Sequence, residues 1–251
     1  NPHDASSAHD NSALVFNGPA VMDLYQSEMA VLDMAGFDTS ALPVPEATAD
    51  NIAPEVLADI QVLTESGIRD TLIELLQQAR AGDQIRMSMF YFSHRGVLEA
   101  LIGAQQRGAA VQVLMDPSED AFGRKKNGIP NRQVAGELVA SGVELRWCDT
   151  HGEQCHSKSV LIDRADHSTS LLLGSGNLTR RNLDDYNLET SVVLHTQAHH
   201  RAVIDARELF MRQWFNLDGQ HFSAPYEKFR DDSRWRYLLY RLMEKTGLST
   251  F

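Results

Sequence analysis

The sequence His156-Ser157-Lys158-Ser159-Val160-Leu161-Ile162-Asp163 is followed further along the chain by Gly174-Ser175-Gly176-Asn177. The β-branched and aliphatic residues predict one strand over Ser157–Asp163 and a second over Thr169–Leu173, joined by a polar turn. Side chains alternate between the faces of a strand, so His156 and Lys158 should point the same way. Gly174 lets the backbone turn tightly and present Ser175 and Asn177.

These side chains suit the chemistry of a phosphodiester. An imidazole can attack phosphorus or give a proton to a leaving alkoxide near neutral pH. Lys158 is a cation for the non-bridging oxygens, and Ser175 and Asn177 add hydrogen-bond donors. Phosphoryl transfer depends mainly on positioning and charge stabilisation, so the set is coherent without a metal or a cofactor. A single histidine on a strand is usually structural, but HxKxxxxD joined to GSxN favours the functional interpretation.

The two segments together resemble the HKD motif of the phospholipase D superfamily. That superfamily includes phospholipases D, cardiolipin synthases, phosphatidylserine synthases and phosphodiester-cleaving nucleases. The resemblance implies a metal-independent reaction through a phosphohistidine, in which His156 is catalytic as nucleophile or general acid. It also implies that the phosphate is held by Lys158, Ser175 and Asn177.

Two acidic residues belong to the same resemblance. Asp163 matches the aspartate of the motif, and Glu189 matches a downstream acid that holds the catalytic imidazole of its own motif through Nδ1. A solvated acid at a strand edge is the structural alternative for Glu189. The interval from Asp163 to Gly174 is longer than in most members, and we expect the extra polar residues 164–168 to leave the active face intact.

An active site of this family needs two such motifs, and this sequence contains one. Asn1 resembles the last residue of a first motif, Ser12–Asn17 the strand after it, and Gly18–Leu32 the helix that follows. We therefore interpret residues 1–36 as the tail of an N-terminal lobe, 37–55 as a linker, and 56–251 as the C-terminal lobe, and we expect this piece alone to be inactive. The alternative is a single-motif chain that dimerises, with residues 1–36 as its own extension.

The rest of the pattern predicts an α/β fold. Strands at Ile60–Leu63, Gln84–Phe92, Val111–Met115 and Val143–Trp147 alternate with amphipathic helices. We expect a mixed sheet flanked by helices, as in one phospholipase D-like lobe, within a pseudo-twofold, two-lobe architecture. No repeat is evident.

The net charge of the chain helps to choose between classes of substrate. The formal net charge is -11, which disfavours a dedicated nucleic-acid binder because such proteins usually carry a basic domain. A phospholipid substrate is therefore favoured, with a nuclease of the same chemistry as one alternative and a catalytically inactive phosphate-binding or dimerisation lobe as another. The predicted partners are the phosphodiester substrate and a second lobe or subunit. Resemblance to bacterial phospholipase D and cardiolipin synthase-like proteins implies membrane association in a bacterium.

Three further features have a structural alternative. The basic and aromatic segment Arg234–Leu242 resembles a helix that lies on an anionic membrane surface, although packing of its apolar residues on the domain is the favoured interpretation. Arg124-Lys125-Lys126 can contact an anionic head group or simply be solvated. Cys148 and Cys155 are expected to be unpaired thiols, with a single bridge as the alternative, and their spacing with His151 suggests zinc only loosely.

Overall fold

The computed structural model describes residues 11–45, 58–118, 127–149 and 154–246, together with the backbone of two short strands at Asp120–Ala121 and Arg124–Lys125. The helices are α1 (Ala20–Met34), α2 (Glu65–Gln78), α3 (Arg95–Gln106), α4 (Asn131–Ala140), α5 (Arg180–Leu183), α6 (Arg201–Phe215) and α7 (Arg234–Thr246). The strands are β1 (Asp59–Thr64), β2 (Gln84–Met89), β3 (Ala110–Met115), β4 (Asp120–Ala121), β5 (Arg124–Lys125), β6 (Glu144–Cys148), β7 (Lys158–Asp163), β8 (Ser168–Gly174), β9 (Thr190–Gln197) and β10 (Ser223–Pro225).

Eight of these strands form one mixed sheet in the order β1-β9-β8-β7-β2-β3-β6-β10. The strands β2, β3 and β6 are parallel, as expected where a helix connects consecutive strands. The strands β7, β8, β9 and β1 continue the sheet in antiparallel pairs. The predicted α/β fold with a mixed sheet flanked by helices is confirmed.

The alternation of side chains along β7 divides the core. Val160 and Ile162 join the larger apolar cluster, which includes the buried faces of α2, α3 and α4 and the side chain of Tyr240 from α7. Leu161 points to the other face and packs with Val203 of α6. Helices therefore cover both faces of the sheet, and the loops at the strand ends are left to carry polar residues.

The N-terminal part of the chain departs from the expectation. Residues 12–17 form no strand, and Val15 is 94% exposed, because this segment hydrogen-bonds to no neighbouring strand. Helix α1 begins directly after Gly18-Pro19, as the sequence predicts. Residues 37–45 of the predicted linker contain only turns and irregular backbone, whereas residues 46–55 and Asn1 lie outside the described residues.

The cysteine prediction was wrong. Cys148 at the end of β6 and Cys155 form a disulfide with a Cα–Cα distance of 6.1 Å. Both cysteines are buried in one cluster with Leu114, Phe210 and Trp214, and this packing brings the two sulfur atoms together. The pair cannot supply zinc-binding thiolates in this state, and His151 lies outside the described residues.

Candidate active site

Lys158 is the first residue of β7 and is buried. Its Nζ donates a hydrogen bond to the backbone oxygen of His156 at 2.9 Å and lies 5.3 Å from the ring centre of Phe90. Burial lowers the pKa of Lys158 to about 8, against a smaller opposing effect of the negative charges on Glu189 and Asp116. Among the described residues, no carboxylate comes within ion-pair distance of this ammonium group.

His156 immediately precedes β7 and is half-buried. Its Nδ1 lies 3.3 Å from the side-chain oxygen of Asn11, and its ring centre lies 4.9 Å from that of Phe90. An amide oxygen can only accept a hydrogen bond, so Nδ1 carries the proton in this pair. The lone pair of the imidazole then resides on Nε2, the nitrogen that a reacting phosphate would meet.

Asn11 reaches His156 because the segment after it lies against the sheet. Ser12, Ala13 and Leu14 help to line a cavity of about 400 Å³ between the sheet and α6, whose wall includes Ser157. No local sequence pattern predicts this contact, because Asn11 and His156 lie 145 residues apart in the chain.

Glu189 lies close to the site but holds different partners from those expected. Its carboxylate accepts hydrogen bonds from the Ser175 hydroxyl at 2.5 Å and from the Asn182 amide, while its charge acts on Lys158. Nδ1 of His156 lies next to the side-chain oxygen of Asn11. The role of Glu189 in holding this imidazole therefore stays a prediction.

Ser175 and Asn177 are brought to the same edge by the end of β8. Gly174 is required there, because a Cβ on this residue would come within 2.5 Å of Ser191 Cα on β9. Asn177 accepts a hydrogen bond from the backbone N–H of Tyr91 at 3.3 Å, and Tyr91 follows the Phe90 that contacts both His156 and Lys158. The GSGN turn and the β2 end therefore border one site.

Asp163 is not part of this group. It ends β7, five residues after Lys158, which at the rise of an extended strand is about 16 Å away. Its carboxylate accepts hydrogen bonds from Arg86 at 2.7 Å, from Arg207 at 2.7 Å and from the hydroxyl of Thr169 at 2.9 Å. The structure separates Asp163 from the other predicted site residues because a six-residue strand holds the two ends of the motif apart.

Two residues near the site were not predicted. Phe90 contacts both the imidazole and the ammonium group, and Asp116 accepts a hydrogen bond from the backbone N–H of Cys155 at 3.0 Å. Phe90 follows the carboxyl end of β2, which pairs with β7, and Asp116 follows the carboxyl end of β3, the next strand beyond β2. The sequence marks those strand ends, but the sheet order that places them beside His156 cannot be obtained from local pattern.

Two further properties of the described residues concern metal ligands and membrane-spanning helices. These residues contain no group of three or more His, Cys, Asp or Glu side chains placed to hold a metal ion. Nor is any of their helices both long and apolar enough to cross a bilayer. The side chains of Arg124 and Lys125, predicted as a head-group contact, lie outside the described residues together with Lys126.

Comparison with known proteins agrees with the fold. A sequence profile described as "Cardiolipin synthase, PLD-like domain" matches residues 72–214. The phospholipase D family member Nuc from Salmonella typhimurium superposes with a TM-score of 0.50 and 21% identity, covering 67% of this chain and 99% of that one. Phosphatidylserine synthase from Haemophilus influenzae Rd KW20 superposes with a TM-score of 0.55 and 13% identity, covering 93% of this chain and 55% of that one. A search of curated proteins found no match.

These likenesses define the class, which is the phospholipase D superfamily. The matched profile spans more than half of the chain, so the protein belongs to the family of cardiolipin synthase PLD-like domains. The structural likenesses, at these identities, show the fold. This chain spans about half the length of the phosphatidylserine synthase.

Proposed function

We propose that the protein cleaves or transfers a phospholipid phosphodiester through a phosphohistidine, without a metal. The observation that carries the proposal is the buried ammonium group of Lys158 beside His156. A cation that is taken out of water without an anionic partner is costly, and proteins retain such groups where an anion binds. The non-bridging oxygens of a phosphodiester supply that anion.

The reaction then uses two histidines. In one step, an imidazole Nε2 forms a bond to phosphorus while the P–O bond to the leaving group breaks, and the departing oxygen takes a proton from the second imidazolium. In the next step, water or an alcohol gives its proton to that second imidazole and attacks phosphorus, and the N–P bond breaks. Lys158, Ser175 and Asn177 bind the phosphate oxygens, and Asn11 orients the ring of His156.

The second histidine is proposed to come from an N-terminal lobe of the same protein or from a second subunit. His94 lies beside the loop that contains Asn177, because its backbone N–H donates a hydrogen bond to the backbone oxygen of Leu178. Its ring is held by Asp184 at 3.3 Å and by the backbone N–H of Val97 at 3.3 Å. This ring is therefore engaged in capping α3.

Phospholipid is favoured over nucleic acid by three considerations. The formal net charge of -11 opposes attraction to a polyanion, and the matched family is named for cardiolipin synthase. The likeness to a phosphatidylserine synthase points in the same direction. A peripheral contact with a membrane follows from a substrate that resides in a bilayer.

The test is turnover of a labelled phospholipid by the protein together with its second lobe or subunit, with and without EDTA. We expect chelator-resistant turnover that His156→Ala lowers at least about 1000-fold, because the imidazole is the reacting base or acid. His199→Ala, which changes an exposed histidine at the start of α6, is the matched control and should keep full turnover.

Other results would redirect the assignment. Cleavage of single-stranded DNA that is lost in His156→Ala, with no turnover of lipid, would keep the site and replace the substrate by nucleic acid. Turnover of neither substrate, with retained binding of inorganic phosphate, would favour a phosphate-binding lobe. Turnover that EDTA abolishes would contradict the metal-free mechanism.

A further inference from the structure

Helix α7 (Arg234–Thr246) presents an apolar ridge to solvent. Trp235, Leu238 and Leu242 are 73%, 60% and 59% exposed, and their spacing places them on one face of the helix. The opposite face is attached to the domain by the buried ring of Tyr240, and the partly buried Leu239 and Met243 pack on the domain between that face and the ridge. The sequence favoured packing of Trp235, Leu238, Leu239 and Leu242 on the domain, and in the structure only Leu239 of these four packs against the core.

A basic strip runs beside that ridge. At a rotation of about 100° per residue, Arg234, Arg241 and Lys245 lie together next to Leu238. None of the three forms an ion pair with a carboxylate of the described residues. The only acid of α7, Glu244, points to the domain, where it contacts the backbone N–H of Arg95 at 3.4 Å. The outward half of α7 is thus cationic and apolar, on a chain with a formal charge of -11.

The helix is fixed to the segments that border the site. The hydroxyl of Tyr240 donates to the backbone oxygen of Ser93 at 3.4 Å, close to the end of β2. Arg180, three residues after Asn177, donates to the backbone oxygen of Lys245 at 2.7 Å. A ligand or surface bound to the outward face of α7 therefore lies near the loops that carry the proposed phosphate-binding residues.

We propose that the outward face of α7 is an in-plane docking surface for an anionic lipid bilayer. Trp and Leu side chains enter the boundary between head groups and acyl chains, and Arg or Lys side chains beside them contact anionic phosphates. Charge complementarity selects the occupant, because Arg234, Arg241 and Lys245 form no ion pair with a carboxylate of the described residues and lie beside an exposed apolar ridge. The effect on turnover rests on the proposed function, whereas the docking itself does not.

The first test measures binding of the chain to phosphatidylcholine vesicles with or without an equal share of phosphatidylglycerol. Binding should require the anionic lipid and weaken with salt. The variant Trp235→Ser/Leu238→Ser/Leu242→Ser and the variant Arg234→Gln/Arg241→Gln/Lys245→Gln should each lower the partition coefficient at least about tenfold. The matched controls are Phe215→Ser/Leu217→Ser and Arg201→Gln/Arg212→Gln, which change exposed residues on or just after α6 and should bind as the wild type does.

Absence of wild-type binding, or binding by both α7 variants that equals that of the wild type, would overturn the proposal. So would self-association that the apolar variant removes, because the face would then be a contact between copies of the chain. A second measurement separates docking from catalysis. Turnover of a short-chain phospholipid dispersed as monomers should be unchanged by the α7 variants, while turnover on vesicles falls. If no lipid is turned over, the proposed function fails and the vesicle-binding result still decides on docking.

Discussion

The two ends of strand β7 each carry a charged side chain, and the two side chains differ in whether oppositely charged groups surround them. At the Lys158 end, a buried ammonium group has backbone oxygen and an aromatic ring as neighbours, and its pKa falls to about 8 because burial disfavours the cation. At the Asp163 end, a carboxylate is surrounded by two guanidinium groups and a hydroxyl. One motif therefore combines a buried cation that has no ion-pair partner among the described carboxylates with an anion that two guanidinium groups compensate.

The Asp163 end ties three elements together. Arg86 belongs to β2, Thr169 to β8 and Arg207 to α6, so that one carboxylate joins both neighbours of β7 to the helix that covers the sheet. Burial alone would raise the pKa of Asp163, but the hydrogen bonds from Arg207 and Thr169 and the nearby positive charges lower it below its ordinary value. We therefore expect the aspartate of the motif to be a positioning residue that acts through β7.

The largest expected effect is on turnover in Lys158→Met. Loss of the cation removes charge stabilisation of the phosphoryl group, and we expect turnover to fall about 100- to 1000-fold. The fold should tolerate the change, because Met fills a similar volume without a buried charge. Steady-state kinetics on a labelled phospholipid measure the effect. Retention of more than half of the wild-type turnover would show that Lys158 is not the phosphate ligand.

The same variant should be more stable than the wild type, on the order of 2 kcal/mol at neutral pH. Below pH 8 the lysine is charged in both states and the folded chain bears the whole cost of burial. As pH rises from about 8 towards the ordinary value of 10.5, the unfolded chain binds more protons, so that wild-type stability rises. The gap between the two proteins should therefore shrink over that window. Urea unfolding of both proteins across this pH range measures the difference in the free energy of unfolding. A difference that does not change with pH would contradict the burial argument.

The next effect concerns Asp163→Asn, which should act on stability. Two guanidinium groups lose their anionic partner, and we expect a loss of about 3 kcal/mol in the free energy of unfolding, with turnover per folded molecule within a few fold of wild type. The difference is present above the ordinary pKa of an aspartate and disappears as pH falls through the lowered pKa of the native state. Asp166→Asn, an exposed change in the same hairpin, is the control and should cost little.

An opposite outcome for Asp163 would be informative. If Asp163→Asn removed turnover while leaving the free energy of unfolding unchanged, the residue would have to reach the reacting groups, and the separation of the two ends of β7 would be wrong. A loss of both quantities in proportion would instead indicate that β7 is displaced as a unit.

The sequence predicted the fold well because its signals are local. The consecutive β-branched and aliphatic residues Val160, Leu161 and Ile162 predict β7, and the first glycine of GSGN marks the end of β8. The residue types of the motif also indicated the chemistry of the site. What the pattern could not supply is distance across the sheet. The partners of Asp163 lie on β2, β8 and α6, and the partner of His156 lies near the N-terminus, so only tertiary packing reveals them.

The local sequence pattern also could not predict which apolar side chains of α7 are exposed to solvent. Trp235 and Leu239 are both apolar residues of one amphipathic helix, and which of them packs on the domain depends on how α7 is rotated against α4. The hydroxyl of Tyr240 fixes that rotation by its bond to Ser93. Composition gives the amphipathic character of such a helix, while the direction of its apolar ridge requires its neighbours.

The smallest expected effect tests how the Lys158 end is kept in place. The Cys148–Cys155 disulfide closes a short loop and joins the end of β6 to the residue before His156. Loss of such a cross-link relaxes the unfolded chain, so Cys148→Ala/Cys155→Ala should cost about 2 kcal/mol in the free energy of unfolding. Turnover should fall by less than about tenfold, because Asp116 still accepts the backbone N–H of Cys155 and Asn11 still orients the ring. Reduction of the wild type with dithiothreitol should reproduce both changes and should have no effect on the double variant. If reduction altered turnover in both proteins equally, the disulfide would not be what positions His156, and the rigidity of this end would have to come from the sheet alone.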